Sequence, residues 1–233
     1  MSLPKARGSG KILFVTGTDT GVGKTLLTGL LLRHLRGEGV HALAMKPFSS
    51  GSRDDALLLG ALQGGELGID EVNPFFFKVP MAPLVAARKE GRTVGLRQAI
   101  AAIQRVRCRC EWLLVEGVGG VMVPLGEKWS VRDLILRLGC AVVVVSRNRL
   151  GTINHTILTA EALKRAGIQR IKIVLMNEQR SDPSSSSNPL IISELLRPTP
   201  VFSIRYLGDE AACPSRLGKN LKKIQKTLAR ILV

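Results

Sequence analysis

Apolar residues fall into short continuous runs separated by stretches of helical spacing. Six runs rich in β-branched and aliphatic residues stand out: Ile12 to Val15, Ala42 to Met45, Trp112 to Val115, Ala141 to Val145, Ile171 to Met176 and Val201 to Ile204. Between them, Leu26 to Leu35, Leu96 to Val106, Ile153 to Ala166 and Leu190 to Leu196 carry apolar positions three and four apart, the period of an amphipathic helix. Strands that are apolar throughout, rather than at alternate positions, have both faces covered. The pattern therefore predicts a mostly parallel, doubly wound sheet between helices, a three-layer α/β fold. A last helical pattern sets Leu217, Leu221, Ile224, Leu228 and Ile231 against Arg216, Lys219, Lys222, Lys223, Lys226 and Arg230. The run SDPSSSSN over 181–188 predicts a mobile surface loop, and Pro74, Pro80 and Pro83 predict rigid loop geometry. At 233 residues, one domain over the whole chain is the simplest organisation.

In such sheets ligands bind beyond the carboxyl ends of the strands, so the residues that follow each run are the informative ones. After the first comes Phe14 to Leu26, FVTGTDTGVGKTL, in the order strand, glycine turn, helix. That arrangement aims unpaired N–H groups and the positive end of a helix dipole at an anion. The glycines let the chain wrap a phosphate, Lys24 supplies charge and the Thr25 hydroxyl can coordinate Mg²⁺. Five residues, Thr18 to Val22, separate Gly17 from Gly23, one more than in the general phosphate-loop pattern. Nucleoside triphosphate binding on a P-loop NTPase-type fold follows. After the second run stands Lys46 in KPFSSGS; after the third, Glu116 in EGVGG; after the fifth, Asn177; after the sixth, Arg205 and Tyr206. Glu116 suits a carboxylate reaching Mg²⁺ on the triphosphate, and Gly117, Gly119 and Gly120 suit a close approach of backbone or ligand. Asp54 and Asp55 offer another metal-binding carboxylate or a cap for a helix beginning at Ala56.

Hydrophobic residues make up 45% of the chain, but its longest apolar run is too short to span a bilayer. The stretch MSLPKARGSGK has no apolar segment of signal-peptide type, which predicts a cytoplasmic protein. Cys108, Cys110, Cys140 and Cys213 lack zinc-site spacing and are expected as buried or free thiols. A formal net charge of +16 raises nucleic acid as a partner. No aromatic residues are interleaved in the basic C-terminal helix to stack bases, so it reads as a solvated face instead.

Taken together, the motifs resemble dethiobiotin synthetase. The resemblance runs from FVTGTDTGVGKT through MKPFSSGS with DDALLL, VNPFFF, APLVAARKEGR, LLVEGVGGVMVPL and LGTINHTILTAEAL to LMN, in that order and over most of the chain. The longer phosphate loop is also what this family looks like. The resemblance implies a cyclo-ligase that converts 7,8-diaminononanoate and CO₂ to dethiobiotin with ATP and Mg²⁺, through a carbamate and its phosphorylated anhydride. It implies a loop of Thr20, Gly21, Val22, Gly23, Lys24 and Thr25 on the phosphates, with Lys24 on the β- and γ-phosphates. Thr25, Asp55 and Glu116 would hold Mg²⁺, and Gly117, Val118 and Gly119 would line the nucleotide site. Lys46 would bridge carbamate and γ-phosphate as the second catalytic charge, and Ser50 would meet the polar head of the substrate. Asn177 would read adenine, with Arg205, Tyr206 and Leu207 lining its pocket. The N–H groups of Gly151, Thr152, Ile153 and Asn154, opening a helix, would take the distant carboxylate near the partner subunit of a homodimer.

The chain also departs from the family. Gly21 stands where many members carry an acid, the segment from Ser52 to Asp55 is short, and where members often place a Tyr near the substrate tail after the adenine strand this chain has a single tyrosine, Tyr206. Blander roles exist for single residues: Lys46 as a solvated strand end, Asn177 as a turn former and His155 as a structural residue. A rival class, the partition-type ATPase that associates with DNA, uses a signature lysine five residues before the loop lysine. That position is Asp19, whose carboxylate would repel a partner's phosphates. A related amidotransferase would need a second catalytic domain.

Overall fold

The computed structural model describes residues 10–180, 182–208 and 211–233. Its core is a six-stranded sheet with every neighbouring pair parallel. The chain enters with β1 (Lys11–Gly17), α1 (Lys24–Gly37), β2 (Ala42–Met45), the short β3 (Phe48–Ser50) and α2 (Asp54–Leu62). It continues through α3 (Ile69–Val72), β4 (Phe75–Phe77), α4 (Pro83–Lys89) and α5 (Leu96–Arg107) to β5 (Trp112–Gly120). After β6 (Pro124–Gly126), β7 (Trp129–Ser130) and α6 (Val131–Leu138) come β8 (Ala141–Arg147) and α7 (Thr152–Arg165). The last elements are β9 (Ile171–Met176), α8 (Asn188–Leu195), β10 (Val201–Ile204) and α9 (Pro214–Leu232). The spatial order is β10, β9, β8, β1, β5, β2, with β3 beside β4 and β6 beside β7 as separate two-stranded ribbons.

The six apolar runs are the six strands of the sheet. Their burial is near continuous, as in β8, where Val142 to Ser146 are all buried, because helices cover both faces. Leu27, Leu30 and Leu31 of α1 are wholly buried beneath the sheet, and α1 also packs against α2 and α9. The apolar stripe of α9 is buried at Leu217, Ile224, Leu228 and Ile231, and Lys219, Lys222, Lys223, Lys226 and Arg230 are exposed.

Three boundaries differ from the sequence expectation. Glu116 does not follow its strand but lies within it: β5 runs on to Gly120 and keeps pairing with β1, Val15 opposite Glu116 and Gly17 opposite Gly120. The α2 helix begins at Asp54 with Arg53 at its N-cap, so neither aspartate caps it; the Asp54 N–H is taken by the Ser52 hydroxyl at 2.9 Å. The serine-rich stretch is not a plain loop, for Pro183–Ser186 form a 3-10 turn and α8 starts at buried Asn188. Asp182 caps that turn, its carboxylate accepting from Ser184 N–H at 2.8 Å. Ser181 lies outside the described residues.

β2 forms one margin of the sheet, yet its outward backbone groups are partnered by side chains and loops. Arg36 donates to Ala42 O at 3.1 Å, and Val72 O accepts from Lys46 N–H at 2.9 Å. Between them the buried amide of Gln63 takes both groups of Ala44, accepting from its N–H at 2.8 Å and donating to its carbonyl at 3.2 Å. Gln63→Met keeps the volume and strands both backbone groups. It is expected to cost about 2–4 kcal/mol in urea unfolding, since each buried unpaired group costs about 1–3 kcal/mol. A loss below about 0.5 kcal/mol would show that water replaces the amide.

Candidate active site at the rim of the sheet

The strand ends of β1, β2 and β5 meet at a cleft of about 450 Å³ lined by Thr20, Gly21, Gly23, Lys24 and Thr25 from the phosphate loop. Lys46, Ser50, Asp54, Asp55, Glu116, Val118 and Gly119 complete it from the facing side. Two loop glycines are in the left-handed region, Gly21 at φ 66° and Gly23, the N-cap of α1, at φ 99°, a backbone that side chains disfavour. Gly17 is small for another reason: a Cβ there would stand 2.7 Å from Val22 and 3.2 Å from the Lys24 amine. Across the strand pair, a Cβ on Gly120 would press on the backbone of Thr18 at 3.3 Å. Of the glycines after Glu116, Gly120 thus lets the phosphate-loop backbone approach, whereas Gly117 and Gly119 make room for the side chains of Phe14 and Val123.

Four charged groups converge in the cleft. The Lys24 amine donates to Asp19 O at 2.7 Å. Lys46, only 5% exposed, donates to Glu116 Oε1 at 2.7 Å and to Asp55 Oδ2, so it is not a solvated strand end. Its backbone is clamped too, Lys46 O accepting from Asn73 Nδ2 at 2.7 Å, with Asn73 in turn accepting from Ser49 at 2.8 Å. Thr25 donates to Glu116 Oε1 at 2.8 Å. Asp55 therefore faces the site charges while Asp54 is exposed at the start of α2.

The titrations follow from this packing. Burial, with the Lys46 ammonium second, pushes the Lys24 amine down to about 8. Burial also opposes charge on Lys46, but Glu116 and Asp55 outweigh it and hold that amine above its ordinary value. For Asp55, burial is likewise outweighed, here by the Lys46 ammonium, and the carboxyl lies below the usual range.

Glu116 Oε2 is buried with no hydrogen-bond partner. With the Thr25 hydroxyl and the Asp55 carboxylate it makes an all-oxygen donor set, which fits a hard divalent cation completed by phosphate oxygens and water. Among the described residues no cluster of three or more His, Cys, Asp or Glu could hold a metal by itself. The arrangement suits an ion that arrives with the triphosphate.

The remaining sequence candidates lie around this cleft. Val22 is buried beneath the loop, and Gly117 lies against Phe14. Met176 packs on Gly23, which brings the end of β9 beside the loop. Asn177 follows, its carbonyl accepting from Asn148 at 2.8 Å and Ser203 at 3.3 Å. Arg205, Tyr206 and Leu207 continue from β10, with the Arg205 guanidinium turned to Lys223 O at 3.2 Å. Gly151, at φ 91°, is the N-cap of α7, so Thr152, Ile153 and Asn154 form its first turn. His155 is exposed there and takes no part in the core. The Ser50 hydroxyl donates to Met81 O at 2.6 Å.

Two features escaped the sequence reading. Arg147, at the end of β8, donates through Nε and Nη2 to Gly21 O at 3.1 and 2.8 Å, bracing the phosphate loop. Hydroxyls run from Thr18 to Ser146 at 3.1 Å and on to Thr152 at 2.7 Å, joining the loop to the start of α7. The rule of looking past each strand end would have found Ser146 and Arg147 had it been applied to the fourth run.

The chain is similar to several known proteins. A family model described as an AAA domain matches residues 11–210. An ATP-dependent dethiobiotin synthetase of Bacillus licheniformis is 45% identical over 188 residues, 78% of this chain and 80% of the relative. One of Anaeromyxobacter dehalogenans is 41% identical over 219 residues, 91% and 98% of the two chains. Among solved structures, a ParA family ATPase from Chlorobium tepidum aligns with TM-score 0.56 at 16% identity, covering 94% of this chain and 92% of that one. The MinC:MinD complex of Aquifex aeolicus aligns with TM-score 0.57 at 11% identity, covering 93% and 96%. These two share the fold.

A triphosphate favours the charged Lys24 amine, so its proton must be present in the bound state. Below pH 8 the free site already carries it and ATP affinity is flat; above, each binding event takes up a proton. Affinity is therefore expected to fall by up to about tenfold per pH unit above pH 8. Calorimetry in buffers of different ionisation enthalpy reads the uptake, and no uptake at pH 9 would refute it.

Proposed function

The chain belongs to the dethiobiotin synthetase family, ATP-dependent ligases that form C–N bonds, and on that premise we propose that it closes the ureido ring of dethiobiotin from 7,8-diaminononanoate and CO₂. The observation that carries the proposal is the second ammonium, Lys46, buried beside the phosphate loop and held by Glu116 and Asp55. A nucleotide-binding loop alone needs no such charge. A site that must bring a carbamate to a γ-phosphate does.

In this reading one substrate amine adds to CO₂, loses a proton and becomes a carbamate. A carbamate oxygen then attacks the γ-phosphorus, ADP departs, and the neighbouring amine attacks the activated carbonyl, expelling phosphate and closing the ring. Lys24 and Lys46 offset the negative charge gathered by carbamate and triphosphate, and the clamp from Asn73 fixes where the second charge stands. Thr25, Asp55 and Glu116 would hold Mg²⁺, which neutralises phosphate charge. Ser50 would meet the diamine, the first turn of α7 its carboxylate, and Asn177 with the 205–207 segment the adenine.

A homodimer belongs to the same proposal. Leu150 just before α7 and Leu158 within it, 79% and 61% exposed, would offer apolar area to a partner subunit. No helix among the described residues is long and apolar enough to cross a membrane. The exposed thiol of Cys108, outside any disulfide, suits a reducing cytoplasm. The partition-ATPase alternative draws support only from the shared fold, and Asp19 occupies its signature position.

Mixing the protein with ATP, Mg²⁺, bicarbonate and 7,8-diaminononanoate, one component omitted at a time, tests the reaction. ADP and dethiobiotin are expected together only in the complete mixture; ATP turnover without diamine, stimulated by DNA, would remove the ligase assignment. Lys46→Gln is expected to lower kcat by about a hundredfold or more with ATP binding nearly intact, the size of effect of a lost transition-state charge partner. Asp55→Asn is expected to raise the Mg²⁺ requirement far more than Asp54→Asn, and equal effects would exclude Asp55 as the ligand.

A further inference from the structure

The opposite end of the sheet, where β1, β5, β8 and β9 begin, holds a cavity of about 630 Å³ bordered by the 198–200 turn and the end of α9. That volume is in the range of a small-molecule site. Five cationic side chains line it, Lys11, Arg107, Lys164, Arg170 and Lys172, and no acidic side chain does. Among the described residues none of the five forms an ion pair. Their donors turn to neutral groups: Arg107 Nε to Gly10 O at 2.6 Å, Arg170 to Gly139 O at 2.7 Å, Lys172 to Ile231 O at 2.8 Å. Lys11 lies over the Trp112 ring at 5.3 Å. Between the cations the wall is apolar, with Leu13, Leu138, Ile171 and Leu232.

Helix ends explain part of this. Arg107 and Lys164 stand in the last turns of α5 and α7, where cations complement the dipole. Lys11 and Lys172 stand on strands and have no such reason. Burial alone holds the half-buried Lys172 amine below its ordinary value, with no anion to offset it. Residues 1–9, which precede Gly10, carry Lys5 and Arg7 and no acid, so their charge matches the lining instead of complementing it.

We propose that this cavity is a second ligand site, for a small organic anion that carries a carboxylate or phosphate monoester on an apolar body. The cations take the charged head and the wall between them the body. Because the cavity and the phosphate loop lie at opposite ends of β1, such a ligand binds together with ATP.

The test is calorimetric titration of the full chain with naphthalene-2-carboxylate and with 2-naphthyl phosphate, a non-hydrolysable ATP analogue saturating the phosphate loop. Both probes are expected to bind once per chain and to change Trp112 fluorescence, the tighter one naming the head group. Neutral naphthalene-2-carboxamide and inorganic phosphate are expected to bind at least about tenfold more weakly, and Arg170→Gln and Lys172→Met to weaken both probes by about tenfold with the affinity for the analogue unchanged. If Lys172→Met loses the analogue as well, exposed Arg170→Gln decides. Absence of saturable binding, equal binding of the carboxamide or of inorganic phosphate, displacement by the analogue, or wild-type affinity in Arg170→Gln would each overturn the proposal.

Discussion

An ammonium group taken out of water must find opposite charge within hydrogen-bond reach or lose its own. Lys46 meets that constraint by borrowing carboxylates from two other elements, Glu116 on the neighbouring strand β5 and Asp55 on α2. The demand ties β2, β5 and α2 together at the rim and leaves Glu116 Oε2 buried without a partner. Ligands entering the cleft therefore exchange partners among charges already in place. Little reorganisation is left for the moment of reaction, the condition under which fixed charges stabilise a transition state most.

The phosphate loop is likewise set by its neighbours. Gly17 and Gly120 pair across β1 and β5, where a Cβ on Gly120 would press on the loop backbone and one on Gly17 would press on Val22 and the Lys24 amine. Arg147 holds Gly21 O from the other side, and the hydroxyls of Thr18, Ser146 and Thr152 connect the loop with the helix proposed to take the substrate carboxylate. The two ends of a substrate would thus bear on one hydrogen-bonded frame.

The sheet was legible in the sequence because strands buried on both faces are written as unbroken apolar runs, and the phosphate loop because glycines, Lys24 and Thr25 are contiguous. Glu116 was legible as an acid near the strand end, but its place inside β5 was not: the apolar run stops at Val115, while the pairing with β1 carries on through the glycines to Gly120. The choice of Asp55 over Asp54 came only from resemblance, since adjacent positions on a helix differ by direction, which composition does not encode. Asn73, Gln63 and Arg147 act across long sequence separations on backbone atoms, and such contacts leave no periodicity to read. The SDPSSSSN stretch misled because small polar residues favour loops and helix-start caps alike.

The amide of Gln63 has a consequence for solubility and assembly. A strand at the margin of a sheet offers a row of free donors and acceptors on which another chain can lay a strand of its own. Here Arg36, Gln63, Val72 and Asn73 occupy that row from Ala42 to Lys46, so β2 is no template. The sheet is blunted against growth by strand addition on the side nearest Lys46, and stray pairing between chains cannot pull that lysine out of register.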